Sequence, residues 1–397
     1  MTLPLLFLCC EASVASLGGD VNAAIRRVSS SGGGRVCVPA GIWRTGAVRL
    51  ASNVELHLEE GATLLFSDNP ADYLPTVRTS WEGVECLNLS PLIYADGATN
   101  VAMTGKGLLR AEKETWTRWC ERTPAQDEAV RQLYQWGNDG VPIGERDVTR
   151  MRGACLRPQF IGLHRCRGVR LEGFSLRDSP FWCIHLFDCE DVRVAGLDVA
   201  ADFDHRFGQW NTDGVDIESC RRVTVEDCRF AQGDDVIAIK SGRGQDGVRR
   251  GRPSEDVVLR RIRATKGGAF LAIGSELSGG IRNVVMEDCA VDGYCSNLLH
   301  LKTRSGNGGI VSGIVMRNVR ARALDGAVVR LQAHDAPGTS FSEVRVEDVH
   351  ADVAKRRLRI EADVRSPLRG LSLKNVTCGY AAAKDIVENC KETKESK

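Results

Sequence analysis

A short apolar-x-apolar signature recurs along this chain. It reads Val54-Glu55-Leu56, Val101-Ala102-Met103, Val169-Arg170-Leu171, Val192-Arg193-Val194, Val223-Thr224-Val225, Val257-Val258-Leu259, Val284-Val285-Met286, Ile314-Val315-Met316, Val344-Arg345-Val346 and Leu371-Ser372-Leu373. A period of two marks a strand with one buried face. From Val169 onward the starts lie 23 to 34 residues apart. Strand-bearing units repeated at such intervals stack into a solenoid, and uneven spacing places inserted loops between them. The pattern predicts an all-β solenoid of about ten coils. Cysteines keep the same register. Cys166, Cys189 and Cys220 stand three residues before a start, whereas Cys228 and Cys289 stand five after one. Other coils fill that second slot with Phe174, Leu197, Ile262, Val319 and Val349, so these thiols are expected in the interior rather than on a metal.

Three segments fall outside the repeat. Residues 20–29 read as a short helix, N-capped by Asp20 and stopped by Gly32-Gly33-Gly34, suited to covering an open end of the stack. Residues 110–150 are polar, carry Trp116, Trp119 and Trp136, and contain a helical stretch near Pro124–Tyr134. This is an excursion from the coil, either walling off a cleft or packing on the outside. Residues 1–19 open with an apolar run that resembles a leader but has no Lys or Arg before Arg26. The expected organisation is a leader over 1–19 and one catalytic β-helix domain over 20–397, secreted or periplasmic. No segment is long enough to span a bilayer.

The net charge of +1 gives no footprint for nucleic acid or an anionic membrane. The 15 cysteines are odd in number and show neither CxxC pairs nor zinc spacing, which favours free thiols over a disulfide framework.

Polar chemistry concentrates between Asn211 and Ser241. Asp213 and Asp235 are 22 residues apart, as are Val215 and Ile237, so the two segments are expected to lie side by side in successive coils. Alignment by strand cores points Val215, Ile237, Leu271 and Leu299 inward. Outward columns then run His185, Asp216, Ala238, Ala272, His300 and Phe187, Glu218, Lys240, Gly274, Lys302. Ala238, Ala272 and Gly274 suggest a groove floor over which a flat sugar ring could lie. Asp213, Asp234 and Asp235 would share one patch. Such a cluster suits a hydrolase, in which one carboxyl stays protonated to serve a leaving oxygen while others activate water. A corner ladder of Asp and Asn, or a calcium site, is the alternative. Lys302 and His300 are candidate contacts to an acidic sugar, and Trp210 a candidate platform. Lys240 is expected to pair with Glu218, and His185 with Asp216.

These residues resemble glycoside hydrolase family 28, the polygalacturonase and pectin-hydrolase family, whose fold is a right-handed single-stranded parallel β-helix. Its Asn-Thr-Asp motif matches Asn211-Thr212-Asp213, and its Gly-Asp-Asp matches Gly233-Asp234-Asp235. Ser90-Pro91-Leu92-Ile93-Tyr94, Ser179-Pro180-Phe181-Trp182, Ile239-Lys240-Ser241-Gly242 and Gly274-Ser275-Glu276 look like its bacterial, often exo-acting branch. The resemblance implies Asp234 as general acid, Asp213 and Asp235 as the water-activating pair, and inversion at the anomeric carbon. Carboxyls about 6.5–9.5 Å apart would accompany inversion. It implies a pectic substrate contacted by Asn211, His185, Glu276, His300 and Lys302, a monomer, and no metal or organic cofactor. Two positions depart from the family. Gly268 stands where its Gly-His-Gly has histidine, and His300-Leu301-Lys302 stands where it has Arg-Ile-Lys; Arg304 is close enough in sequence to compensate. Histidine does not reproduce arginine's two-pronged hold on a carboxylate. A carbohydrate-binding protein that has lost catalysis, or a calcium-dependent polysaccharide lyase, are the rivals.

Overall fold

The computed structural model describes residues 9–151, 154–201, 211–333 and 338–396. Its strands form one large parallel sheet wound into a right-handed β-helix. The recurrent signature falls into a single ladder. Val101 lies opposite Val169, followed coil by coil by Val192, Val223, Val257, Val284, Ile314, Val344 and Leu371. Leu56 faces Met103 ahead of them. All these side chains are buried, as are Cys166, Cys189, Cys220, Cys228 and Cys289. The Cys189 and Cys220 thiols donate to the carbonyls of Leu163 and Leu186, each at 3.2 Å. Burial pushes the Cys228 and Cys289 thiols up to about 12, so they remain protonated fillers.

What turns the chain at each coil is a pair of left-handed residues around the strand. The residue before each signature, from Asn53, Asn100 and Gly168 through Asp191, Arg222, Asp256, Asn283, Gly313, Glu343 and Gly370, has φ between 54° and 68°. A second left-handed residue, such as Asp227, Asp288, Asn318 or Asn375, stands four residues after the start of the signature. Left-handed backbone costs about 1–2 kcal/mol for a residue with a Cβ. Short amide and carboxylate side chains offset this by bonding across coils. Asn100 donates to Asn53 at 3.0 Å, Asn318 to Asp288 at 2.6 Å and Asn375 to Asp348 at 3.0 Å.

Helix α1 (Val21–Ser30) caps the stack as expected, with Asp20 accepting from the Ala23 amide at 2.9 Å. The first coil starts inside the expected leader, because Cys10–Ser13 pairs with Gly34–Val38 and Cys10 is disulfide-bonded to Cys37. That bond departs from the expectation of free thiols, which the other described cysteines meet. The excursion holds α2 (Glu114–Arg118) and α3 (Pro124–Asp139), the latter opened by a Thr123/Gln126 capping box and longer than expected. A further helix, α4 (Gly244–Arg250), follows the strand Ile237–Lys240. The excursion packs on the antiparallel hairpin Val77–Trp81/Val84–Asn88. Together they bury Trp81, Val84, Val130, Leu133, Phe181 and Trp182 in a small core outside the coils. Among the described residues no helix is long and apolar enough to cross a membrane.

Two left-handed glycines separate backbone strain from close approach. Gly97 has φ 67° and open space where a Cβ would stand, whereas at Gly105 (φ 105°) a Cβ would lie 1.9 Å from the Leu58 carbonyl oxygen. Gly97→Ala should therefore cost about 1 kcal/mol, the strain alone. Gly105→Ala should cost more than about 3 kcal/mol in denaturant unfolding, because two coils must part. Equal losses would show that the coil spacing is not held at this contact.

Candidate active site

The outward column His185, Asp216, Ala238, Ala272, His300 forms as aligned, in register, and continues to Arg330. Val215, Ile237, Leu271 and Leu299 point into the core. The expected floor is different. Ala238, Ala272 and Gly274 are buried rather than open to a sugar. Their small size leaves room for charged side chains laid across them. Lys302 reaches over the intervening coil of Ala272 to place Nζ 2.7 Å from Asp235 Oδ2. Lys240 Nζ lies 3.5 Å from Asp216 Oδ1 and 3.3 Å from Glu276 Oε2.

Asp213, Asp234 and Asp235 converge. One oxygen of each lies within 4.8 Å of the others, nearer than the carboxyl separation expected for inversion. Asp234 and Asp235 are chain neighbours, and neighbouring strands stand only about 4.8 Å apart. The three differ in their surroundings. Asp234 accepts from the backbone N–H of Asn211 at 3.0 Å and of Asp235 at 2.9 Å. Burial and the Asp235 charge nevertheless hold its carboxyl above the usual range. Asp235 accepts from the Ala269 amide at 2.7 Å as well as from Lys302. Burial acts upward on Asp235, but the lysine outweighs it and holds the carboxyl below the usual range. Asp213 is enclosed, its Oδ1 has no hydrogen-bond partner, and burial followed by the Asp216 charge pushes it well up. Within the cluster, burial thus holds Asp213 and Asp234 above the usual carboxylate range, and Lys302 holds Asp235 below it.

Several expected contacts resolve into a supporting wall. Glu276 has one oxygen on Lys240 and the other 2.6 Å from Arg243, and it stays ionised; burial opposes this, but those cations bring it to about 2. Its carboxylate is therefore engaged by protein rather than facing a sugar. Arg243 stacks on Tyr134 at 4.1 Å and bonds Glu82, which ties the hairpin and α3 to the coils. His185 is fully enclosed and bonds Glu218 at 3.0 Å, not Asp216. The rings of His164, Trp182 and Phe187 surround it, so the expected substrate contact of His185 is corrected to a structural one. Glu218 also takes Arg250 at 2.9 Å and Ser80 at 3.1 Å, and Lys240 turns instead to Asp216 and Glu276. The Asn211 side chain accepts from Arg157 at 3.2 Å, a buried guanidinium that the motif search missed. Trp210 lies outside the described residues.

On the open side, His300 is neutral, since burial and the Lys302 charge push it down to about 3. Arg304 is exposed beyond it. At Gly268 a Cβ would stand 3.0 Å from Asp235 Oδ1 and 3.1 Å from the Asp234 carbonyl carbon, and the Gly268 amide donates to Asp234 O at 2.7 Å. The Asp234–Asp235 pair is packed against a glycine, and a Cβ there would require these atoms to give by a few tenths of an ångström.

Residues 147–396 match the pattern of Glycosyl hydrolases family 28. A hyperthermoactive exopolygalacturonase from Thermotoga maritima superposes with a TM-score of 0.90 at 32% identity, covering 99% of this chain and 93% of that one. A probable polygalacturonase of Vitis vinifera is 26% identical over 94% of this chain and 72% of its own length. An exo-poly-alpha-D-galacturonosidase of Dickeya chrysanthemi is 27% identical over 77% of this chain, which spans about half (53%) of that protein. The motifs, the parallel β-helix and these likenesses agree, and the chain belongs to glycosyl hydrolase family 28, a family of glycosidases.

Proposed function

We propose that this chain is an inverting, exo-acting hydrolase of galacturonate-containing pectic chains, working as a monomer outside the cytoplasm. The observation that carries this reading is a lysine on one of two adjacent carboxyls, Lys302 on Asp235, so that Asp234 is held up and Asp235 down. Asp234 gives its proton to the leaving glycosidic oxygen. Asp235 takes a proton from water as that water attacks the anomeric carbon. Asp213, kept neutral, holds the water by hydrogen bonding, and Lys302 keeps Asp235 ionised while facing the sugar. One water is consumed and one bond is cleaved. Arg243 bonds both Glu82 of the hairpin and Glu276 beside Lys240, and an insertion anchored this close to the cluster suits removal of terminal sugars. The exo-acting relatives support the same reading. The apolar opening and the Cys10–Cys37 bond support export.

A second reading is favoured by the short spacing of the carboxylates, which lies nearer to that of retaining enzymes. Product anomers decide between them. Digestion of galacturonate oligomers should release single sugars as the inverted anomer, and Asp234→Asn should lower kcat by about 100-fold or more. Retained anomer would transfer the mechanism to the second reading. Turnover should survive chelation, because Lys302 already neutralises the cluster. Chelator-sensitive release of an unsaturated product would instead identify a lyase.

The pH profile follows with its sign. Activity requires pH above the depressed value of Asp235 and below the raised value of Asp234. Lys302→Met removes the charge that depresses Asp235. The acid limb should therefore move to higher pH by about one unit or more, with the alkaline limb still governed by Asp234. An unmoved acid limb would show that Asp235 is not the base.

A further inference from the structure

Three successive coils carry a basic residue in one slot of the outward face and a polar residue two positions later. They are His300-Leu301-Lys302, Arg330-Leu331-Gln332 and Arg359-Ile360-Glu361, aligned in register. The last is self-contained, since Arg359 grips Glu361 with Nε at 2.8 Å and its terminal nitrogen at 3.1 Å. In the middle coil the acid is replaced by an amide. Arg330 gives one hydrogen bond to Gln332 Oε1 at 3.0 Å, its Nε has no partner, and among the described residues it makes no ion pair. Its other neighbours in the ladder are neutral His300 and cationic Arg359, so no carboxylate balances it from within the column. Burial and the Arg359 charge disfavour its positive form, and the Glu361 charge one coil on offsets only part of this. A guanidinium in this state is completed by an external carboxylate, whose two oxygens fit its fork.

We propose that Arg330 is a specificity-determining residue that receives the carboxylate of a uronic acid on the open side of the aspartate cluster, one coil beyond His300. Gln332 keeps the guanidinium available by not neutralising it. The assignment rests on the hydrolase reading for the identity of the sugar, but not for the binding itself.

The test uses Gln332→Glu, which rebuilds inside this coil the pair that Arg359 and Glu361 make in the next. Arg330→Gln and Arg330→Lys accompany it. Binding of trigalacturonate and of its fully methyl-esterified form is measured by calorimetry in the Asp234→Asn background, where turnover does not interfere. Gln332→Glu and Arg330→Gln should each weaken the free-acid ligand about ten- to hundredfold and leave the ester unchanged, with Arg330→Lys in between. In the active enzyme the same changes should raise KM while kcat stays near its starting value. Unchanged free-acid binding in Gln332→Glu, or equal losses for acid and ester, would overturn the proposal. Absence of wild-type turnover together with the expected binding pattern would remove the hydrolase reading and leave Arg330 as a carboxylate receptor. Gln332→Glu retains the arginine and adds an ion pair, so loss of fold is not its expected outcome.

Discussion

Coils stacked about 4.8 Å apart oblige every residue to live beside its counterpart in the next turn. For apolar positions this is favourable, and the Val, Ile and Leu ladder gives the molecule its interior. For ionised positions it is costly, because like charges brought that close repel in a poorly solvated setting. Asp213 and Asp235 are held in adjacent coils by the Val215–Ile237 register. The surrounding chemistry answers this one constraint.

Two kinds of answer are visible. Cations are drawn in diagonally, Lys302 onto Asp235 and Lys240 onto Asp216 and Glu276, with alanines and a glycine beneath them so that long side chains can cross a coil. Where burial outweighs the nearby lysine, at Asp213 and Asp216, the carboxyl is instead pushed well above the usual range. The split between a carboxyl held up and one held down is therefore a consequence of stacking. Carboxyls in near-identical backbone positions acquire different protonation because only one has a lysine within hydrogen-bonding distance.

Much of this was legible in the sequence because a parallel ladder is a one-dimensional object. Each signature start from Val101 to Leu371 faces the next, and the column from His185 to His300 needed no adjustment. What escaped was everything set by a third direction. Lys240 and Glu218 are register neighbours, yet their side chains choose other partners, since strand alignment fixes backbones and not diagonals. His185 looked available because strand alignment does not show the rings of His164, Trp182 and Phe187 closing around it. The left-handed corners left a trace in the Asn, Asp and Gly before each strand. Arg222 and Glu343 occupy the same slot, which blurs that trace.

The two departures from the family pattern belong together physically. A side chain at Gly268 would press on Asp235 Oδ1, the carboxylate that Lys302 already holds at 2.7 Å. With glycine there, the Asp235–Lys302 pair packs directly against the strand, and Lys302 is drawn toward the acids. Its neighbour His300 then sits beside a committed cation and stays neutral. One coil farther along, Arg330 makes no ion pair among the described residues, and in the reading proposed above it meets the acidic sugar. The two departures thus fall around one pair, with Gly268 against the Asp235 carboxylate and His300 two residues from Lys302.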